Sequence, residues 1–409
     1  MTGPLEGVRV LDLGWTWAGP YAGMMLCDLG ADVIKVESGH KIDVLRWSGA
    51  FADDVRDYER SGYYNSCNRG KRSVTIDLKD PDGRALVLAL AAHCDVAVEN
   101  FTPRVLPSLG LGWEDLAAVN PRLVLVSLSA YGATGPDRDH IAYGDHLLYA
   151  SGMTSVIGHP DDPPTPIGTF YGDPVGGMYG ALALLAALEE VDRTGVGRHL
   201  EYSQLEGILA MMPGPLMAAS REAAPARSPD KSPTMAPHGF YRCAGDDAWV
   251  AVAVEDDGRW APLRTVLRET GIDVADLDTL AERKAAEADL DAAVSRYCAR
   301  RSPWQVTRAC QALGVAAYPV MHPGRLLSDH HLHDREFFSW QDHPVTGPWP
   351  LPGVVFRTTG GGTRVQGPAP LLGQHNEEVL KGLVGLTDER YDELVRSGAI
   401  AVPDPRGDT

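Results

Sequence analysis

The stretch Val8–Ser38, VRVLDLGWTWAGPYAGMMLCDLGADVIKVES, decides how the chain folds. Val8–Leu13 is a short β-rich run. The small-residue segment GPYAGMMLCDLG reads as a helix stopped by Gly30, and Asp32–Ser38 reads as a second strand. Strand, helix and strand in direct succession predict a parallel βαβ unit. The pattern continues outward from there. Arg72–Leu78 reads as a strand, DPDGRALVLALAAH as a helix, Asp95–Asn100 as a strand, WEDLAAVN as a helix and Arg122–Ser129 as a strand. Such alternation predicts an α/β fold with a parallel sheet covered by helices on both faces.

A ligand of such a sheet lies beyond the carboxyl ends of the strands. The segments to inspect are therefore Gly14–Gly19, Glu37–Gly39, Asn100–Arg104 and Ala130–Gly135. The glycines at 14, 19 and 23 do not form G-x-G-x-x-G, and Trp15 and Trp17 occupy positions where a pyrophosphate needs open backbone. This argues against a nicotinamide or flavin cofactor. A phosphate loop of the G-x-x-x-x-G-K-[ST] kind is missing as well.

The chain has 409 residues, more than one compact unit usually takes. With 37 Lys and Arg against 55 Asp and Glu, its net charge is −18, which disfavours nucleic acid and anionic membrane as partners. The six cysteines form no C-x-x-C pair, so no bound metal is expected and reduced thiols are. The N-terminus lacks a basic start and an apolar signal core, and the longest nearly apolar stretch is Gly176–Leu188, too short to cross a bilayer. These features predict a cytoplasmic protein.

Residues 1–213 form the N-terminal part of a large domain. Residues 214–237, rich in Pro, Ala, Ser and Arg, read as a linker. A smaller unit spans 238–320 and opens with a hairpin in GFYRCAGDDAWVAVAV; a Gly- and Pro-rich segment follows over 321–409.

Four local features carry chemistry. Arg69, Lys71 and Arg72 in CNRGKRS form a basic cluster, read either as a solvated turn or as a phosphate contact. His330, His331 and His333 read as a polar helix start. His146 beside Asp145 is either a proton-moving pair or a satisfied structural one. Asp173, followed by Pro174 in GTFYGDPVGGMYG, fits a helix N-cap. The same position suits a carboxylate nucleophile, held ionised by the helix terminus beside free N–H groups that could stabilise an oxyanion.

Several segments together resemble the class III CoA-transferases, the CaiB/BaiF family. They are LEGVRVLDLGWTWAGPYAGMMLCDLGADVIKVES, NRGKRSVTIDLKDPDGRALVLAL, DVAVENFTP, LGLGWEDLAAVNPRLVLVSLSAYG, GDPVGGMYGALALLAALEEVDRTGVGRHLEYSQLEG, PHGFYRCAGDDAWVAVAV and DHPVTGPWPLPGVVFR. They occur in the expected order over almost the whole chain. The resemblance implies a Rossmann-like large domain, a smaller α/β domain, a C-terminal segment that returns to the large domain, and an interlocked ring-shaped homodimer. It implies no permanently bound cofactor, since coenzyme A thioesters are substrates. Asp173 matches the family's nucleophile, which forms a mixed anhydride and then an aspartyl-CoA thioester. Lys71 and Arg72, with Arg69 beside them, match an element near the nucleotide part of CoA. Asn100 and Phe101 match a ligand contact followed by Arg104, and Asp145 matches an active-site acid.

The chain also departs from the formyl-CoA transferase branch. Trp17 stands where that branch has glutamine, Gly144 where it has tyrosine, and Arg104 where many members have glycine. The first two changes point away from formyl-CoA and oxalate. Trp15 and Trp17, with Gly172 beside the nucleophile, suggest a pocket for a bulky apolar or aromatic acid. Two alternatives remain: an α-methylacyl-CoA racemase using Asp173 with a histidine, and a CoA-binding protein without turnover.

Overall fold

The computed structural model describes residues 3–159, 161–221, 227 and 231–403. Part of the expected linker, 222–226 and 228–230, and the end of the C-terminal segment, 404–409, lie outside the described residues. The chain divides into two compact units: Met1–Ser155 with Thr165–Pro225 and His333–Thr409, and Val156–Pro164 with Ala226–Leu332.

The larger unit is built on six parallel strands: β1 (Arg9–Asp12), β2 (Asp32–Glu37), β3 (Arg72–Thr75), β4 (Val96–Glu99), β5 (Val124–Ser129) and β6 (Arg198–Ser203). They lie side by side in the order β3-β2-β1-β4-β5-β6. The register pairs Leu11 with Ile34 and Ala97, and Val126 with Val98 and Leu200. Alternate residues serve opposite faces of the sheet. Leu11, Ile34, Val36, Ala97 and Leu125 join one apolar cluster with Leu86, Val87 and Leu90 of the helix Pro81–Ala91. Val10, Val33, Val98, Val126 and Leu128 join the other, with Leu26 of the helix Ala18–Asp28 and Leu184 and Val191 of the helix Gly172–Thr194. Both faces are therefore buried, as a parallel sheet requires.

The helix Gly172–Thr194 is longer than the apolar run within it. At 23 residues, with a mean hydropathy of 1.2 over its most apolar 18, it would be long enough to cross a bilayer. Here Val175, Ala181, Leu184, Ala187 and Val191 are instead buried in the unit. It packs tightly on the helix Ala18–Asp28 because Gly177 lacks a side chain: a Cβ there would lie 2.9 Å from the Ala18 carbonyl oxygen and from the Tyr21 Cβ. Gly195, at φ 73°, ends it in the left-handed conformation.

The end of the chain closes the sheet's β3 edge. Asn376 Oδ1 accepts from the Thr75 N–H at 2.8 Å, and its Nδ2 donates to Thr75 Oγ1 at 2.8 Å. Val379, Leu380, Tyr391, Leu394 and Ile400 complete one apolar cluster. The antiparallel pair β10 (Phe338–His343) and β11 (Gly347–Pro352) also belongs to this unit.

The smaller unit holds an antiparallel sheet of β7 (His238–Arg242), β8 (Trp249–Ala253) and β9 (Ala316–Pro319). Its core joins Val250 and Val252 to Trp260, Leu263, Val294 and Val306 from three helices. The stretch read as a linker begins inside the helix Pro213–Ala219.

Candidate active site

A cavity of about 640 Å³ opens beyond the carboxyl ends of the parallel strands. Trp15 and Thr16 enter it after β1, Ser38, His40 and Lys41 after β2, Leu78 and Lys79 after β3, and Asn100, Phe101 and Thr102 after β4. Ala130 follows β5 and Gln204 follows β6. Asp173 completes the wall. The strand order reverses between β1 and β4, so the loops after them part and leave room for a ligand.

The loop after β1 is held by side chains at nearly every backbone group. The Gly14 N–H donates to Asp12 Oδ1 at 2.9 Å, the Trp15 N–H to Asn100 Oδ1 at 2.7 Å, and the Thr16 N–H to Asp43 Oδ1 at 3.0 Å. Asn100 Nδ2 donates back to the Trp15 carbonyl at 2.7 Å. Lys35 Nζ donates to the Gly14 carbonyl and to Asp43 Oδ2 at 3.1 Å. Thr16 sits at φ 64°, a conformation that this set of bonds imposes. The Asn100 amide is thus spent on Trp15. Phe101 lies 6.4 Å from the Trp15 ring, and Lys41 Nζ 5.5 Å from the same ring.

The basic cluster is placed differently from a free phosphate site. Arg69 pairs with Asp28, with Nε at 3.2 Å, and donates to the Pro352 carbonyl at 2.6 Å. Lys71 Nζ donates to Asp12 at 2.7 Å, to the Pro20 carbonyl at 2.8 Å and to Asn68 at 2.9 Å. Arg72 pairs with Asp32 at 2.8 Å and Glu378 at 3.0 Å. Their side chains are taken up by these partners, and none of the three lines the cavity. The cations on the cavity wall are Lys41 and Lys79, with His40 and His140 beside them. Sequence reading names neither Lys41 nor Lys79, although they follow β2 and β3. Arg104 is exposed before the short helix Val105–Ser108 and does not line the cavity.

Asp173 is not the N-cap. Tyr171 holds that position and Asp173 is the second helical residue. Its carboxylate is buried and accepts from the Gly144 N–H. Burial pushes the carboxyl up to about 7, the Gly144 bond opposes that rise, and the neighbouring Asp145 carboxylate adds to it. The helix terminus therefore does not hold the group at ordinary carboxylate acidity, because desolvation outweighs it. The terminus also offers few free donors: the Asp173 N–H bonds to the Phe170 carbonyl at 3.1 Å, that of Val175 to Tyr171, and Pro174 has none. Gly172 is buried behind it against Ile208.

Gly144 explains its own departure from a tyrosine. A Cβ at this position would come within 2.3 Å of Asp173 Oδ2. Asp145 is half-buried next door. His146 is exposed, and its Nδ1 accepts from the Tyr143 N–H at 3.3 Å, so it caps the helix Gly144–Ala150. Trp17 is not on the cavity wall; its ring packs 4.8 Å from Tyr63 and 5.5 Å from Phe170, with Nε1 buried and unbonded.

No sequence motif marks Gln204, which follows Ser203, the cap of the next helix, whose Oγ accepts from the Glu206 N–H at 3.3 Å. The available signal was its place directly after a strand of the sheet. Its side chain is buried, and Nε2 donates to the Leu128 carbonyl at 2.8 Å.

The description CoA-transferase family III matches residues 5–376 of the chain. A succinyl-CoA–D-citramalate CoA-transferase of Chloroflexus aurantiacus is 35% identical over 394 residues, 94% of this chain and 95% of its own length. A succinate–glutarate CoA-transferase of Agrobacterium fabrum is 33% identical over 93% of this chain and 96% of its own. The crystal structure of a CaiB/BaiF family protein from Brucella suis superposes with a TM-score of 0.84 at 29% identity, covering 94% of this chain and all of that one.

Proposed function

The chain belongs to CoA-transferase family III, and on that premise we propose that it moves CoA from an acyl-CoA to a carboxylic acid through Asp173. The observation that carries this reading is one buried carboxylate, Asp173, on the wall of a cavity of about 640 Å³. The ionised carboxylate attacks the thioester carbonyl; the C–S bond breaks, leaving an aspartyl mixed anhydride and CoA thiolate. The thiolate attacks the aspartyl carbonyl and releases the first acid, giving an aspartyl-CoA thioester. The second acid's carboxylate then attacks that thioester, and the returning thiolate takes its acyl group from the new anhydride. Asp173 ends as it began, and no net proton is exchanged.

Lys41 and Lys79 are the charges proposed to meet the phosphates of CoA, since both face the cavity. For the acid, we propose an apolar or aromatic body. Trp15, Phe101, Ile141 and Tyr143 share the cavity wall with Asp173, and among the described residues the charge that acts on the Asp173 carboxyl is that of Asp145, of like sign. A second carboxylate held close to Asp173 would add to that repulsion. The family's assembly implies a homodimer, which light scattering measures.

A panel of acyl-CoA donors against aromatic, branched and dicarboxylic acids tests the reading, with Asp173→Ala as control and mass spectrometry for CoA or acyl adducts on Asp173. Full transfer by Asp173→Ala sinks the nucleophile. Deuterium entering C2 of a 2-methylacyl-CoA without any acceptor acid marks a racemase instead. Binding of CoA with neither outcome marks a protein without turnover.

A further inference from the structure

The Gln204 amide has one half satisfied and one half not. Nε2 donates to the Leu128 carbonyl at 2.8 Å, and a carbonyl only accepts, so the amide's orientation is fixed and Oε1 faces the other way. Oε1 is buried and has no partner among the described residues, while the residue is 5% exposed and lines the same cavity as Asp173. Its position is tied to the nucleophile's helix. A Cβ on Gly176 would lie 3.1 Å from Gln204 Cγ and 3.3 Å from Oε1. Gly176 comes three residues after Asp173, on the same helix face. A dehydrated acceptor is thus held one turn from the reacting carboxylate, and a buried acceptor left unpaired is costly.

We propose that Gln204 is a specificity-determining residue whose Oε1 accepts a hydrogen bond from an O–H or N–H donor on the bound acyl-CoA, within a few bonds of the thioester. Two groups have this chemistry: a hydroxyl on the transferred acid, and the amide N–H of the pantetheine arm beside the sulfur. The inference rests on the CoA-transfer reading of the cavity.

The test compares wild type, Gln204→Met and Gln204→Glu on acids differing by one hydroxyl: succinate with malate, and 3-phenylpropanoate with 3-phenyllactate. Gln204→Met keeps the length and removes the acceptor; Gln204→Glu keeps an acceptor. If Oε1 accepts from a hydroxyl, Gln204→Met erases a preference of about tenfold for the hydroxy acid, and Gln204→Glu retains it. If it accepts from the pantetheine amide, Gln204→Met raises KM for every acyl-CoA about tenfold with kcat kept. Replacing that amide by an ester in the donor then harms wild type and leaves Gln204→Met unchanged. Gly176→Ala, which crowds the amide without removing it, shifts the same quantity in the same direction by less. A uniform fall in kcat together with a lowered Tm, with selectivity and KM unmoved, means a purely structural glutamine and overturns the inference, as does no change at all. Absence of CoA transfer by wild type with every pair overturns the transfer reading, and this inference with it.

Discussion

Gly144 has no side chain because the Asp173 carboxylate occupies the space. The Gly144 N–H is the donor that steadies that carboxylate, and a Cβ would come within 2.3 Å of Oδ2. Gly144→Ala is therefore expected to displace Asp173 and lower kcat at least about 100-fold, a loss typical of misplacing a reacting group by an ångström. Single-turnover acylation measures this directly, and a rate within threefold of wild type contradicts it. The buried carboxyl also sets a pH dependence. Its folded-state value, about 7, lies above that of a solvated aspartate. The folded protein thus holds the proton more tightly, and stability is lost as pH rises through the window from about 4 to 7. Asp173→Asn removes the titration. It is expected to leave stability nearly unchanged at pH 4 and to raise it by up to roughly 4 kcal/mol at pH 8. Urea unfolding at both pH values reads the difference; a larger gain at pH 4 than at pH 8 refutes the sign. In the same window, kcat/KM for transfer rises with pH, since the ionised form attacks.

At the level of the elements, two groups of cations do different work. Arg69 and Lys71 lie just before β3 and Arg72 opens it, and the three are absorbed by Asp28, Asp12 and Asp32. Lys41 and Lys79 follow β2 and β3 and face the cavity. Lys41→Ala or Lys79→Ala is expected to raise KM for acyl-CoA about tenfold each, with kcat kept and the effect fading at high salt. Lys71→Met acts elsewhere. It strands the fully buried Asp12 carboxylate and is expected to cost about 3–5 kcal/mol of stability. Equal KM effects from both groups would mean that the pairing with Asp12 and Asp28 is not what governs them. The helix Gly172–Thr194 depends on its glycines in the same physical way. Gly177→Leu forces it off the helix Ala18–Asp28 and is expected to cost about 3 kcal/mol, measured by the shift in the denaturation midpoint.

Across the whole molecule, legibility in the sequence follows the distance between partners. The strands Arg9–Asp12, Asp32–Glu37 and Val124–Ser129 announce themselves because each carries β-branched or apolar residues on both faces, a property held within a few neighbouring residues. The helix after Asp173 shows itself by its apolar run in the same way. What stays hidden is set by contacts that no local pattern encodes: Asp28 on Arg69, Asp12 on Lys71, Gly144 under Asp173, Leu128 fixing the Gln204 amide. Density of charge in CNRGKRS says nothing about whether a carboxylate forty or more residues earlier has already claimed it. The strand order, too, depends on crossovers and not on any one segment. The C-terminal segment is the largest case. Thr75 receives Asn376 across 301 residues, and Ile76 bridges Ile400. Val379, Leu380, Tyr391 and Leu394 enter the cluster that also holds Val74, Ile76 and Leu90. Because this layer is fully buried, the larger unit cannot be complete without it. Ending the chain after Gln374 is expected to expose that face of β3 and abolish cooperative unfolding of the larger unit. Leu380→Ala, a milder lesion in the same layer, is expected to cost about 2–5 kcal/mol while leaving KM for acyl-CoA unchanged. Retained cooperative unfolding in the truncated chain would mean that β3 carries its own edge unaided.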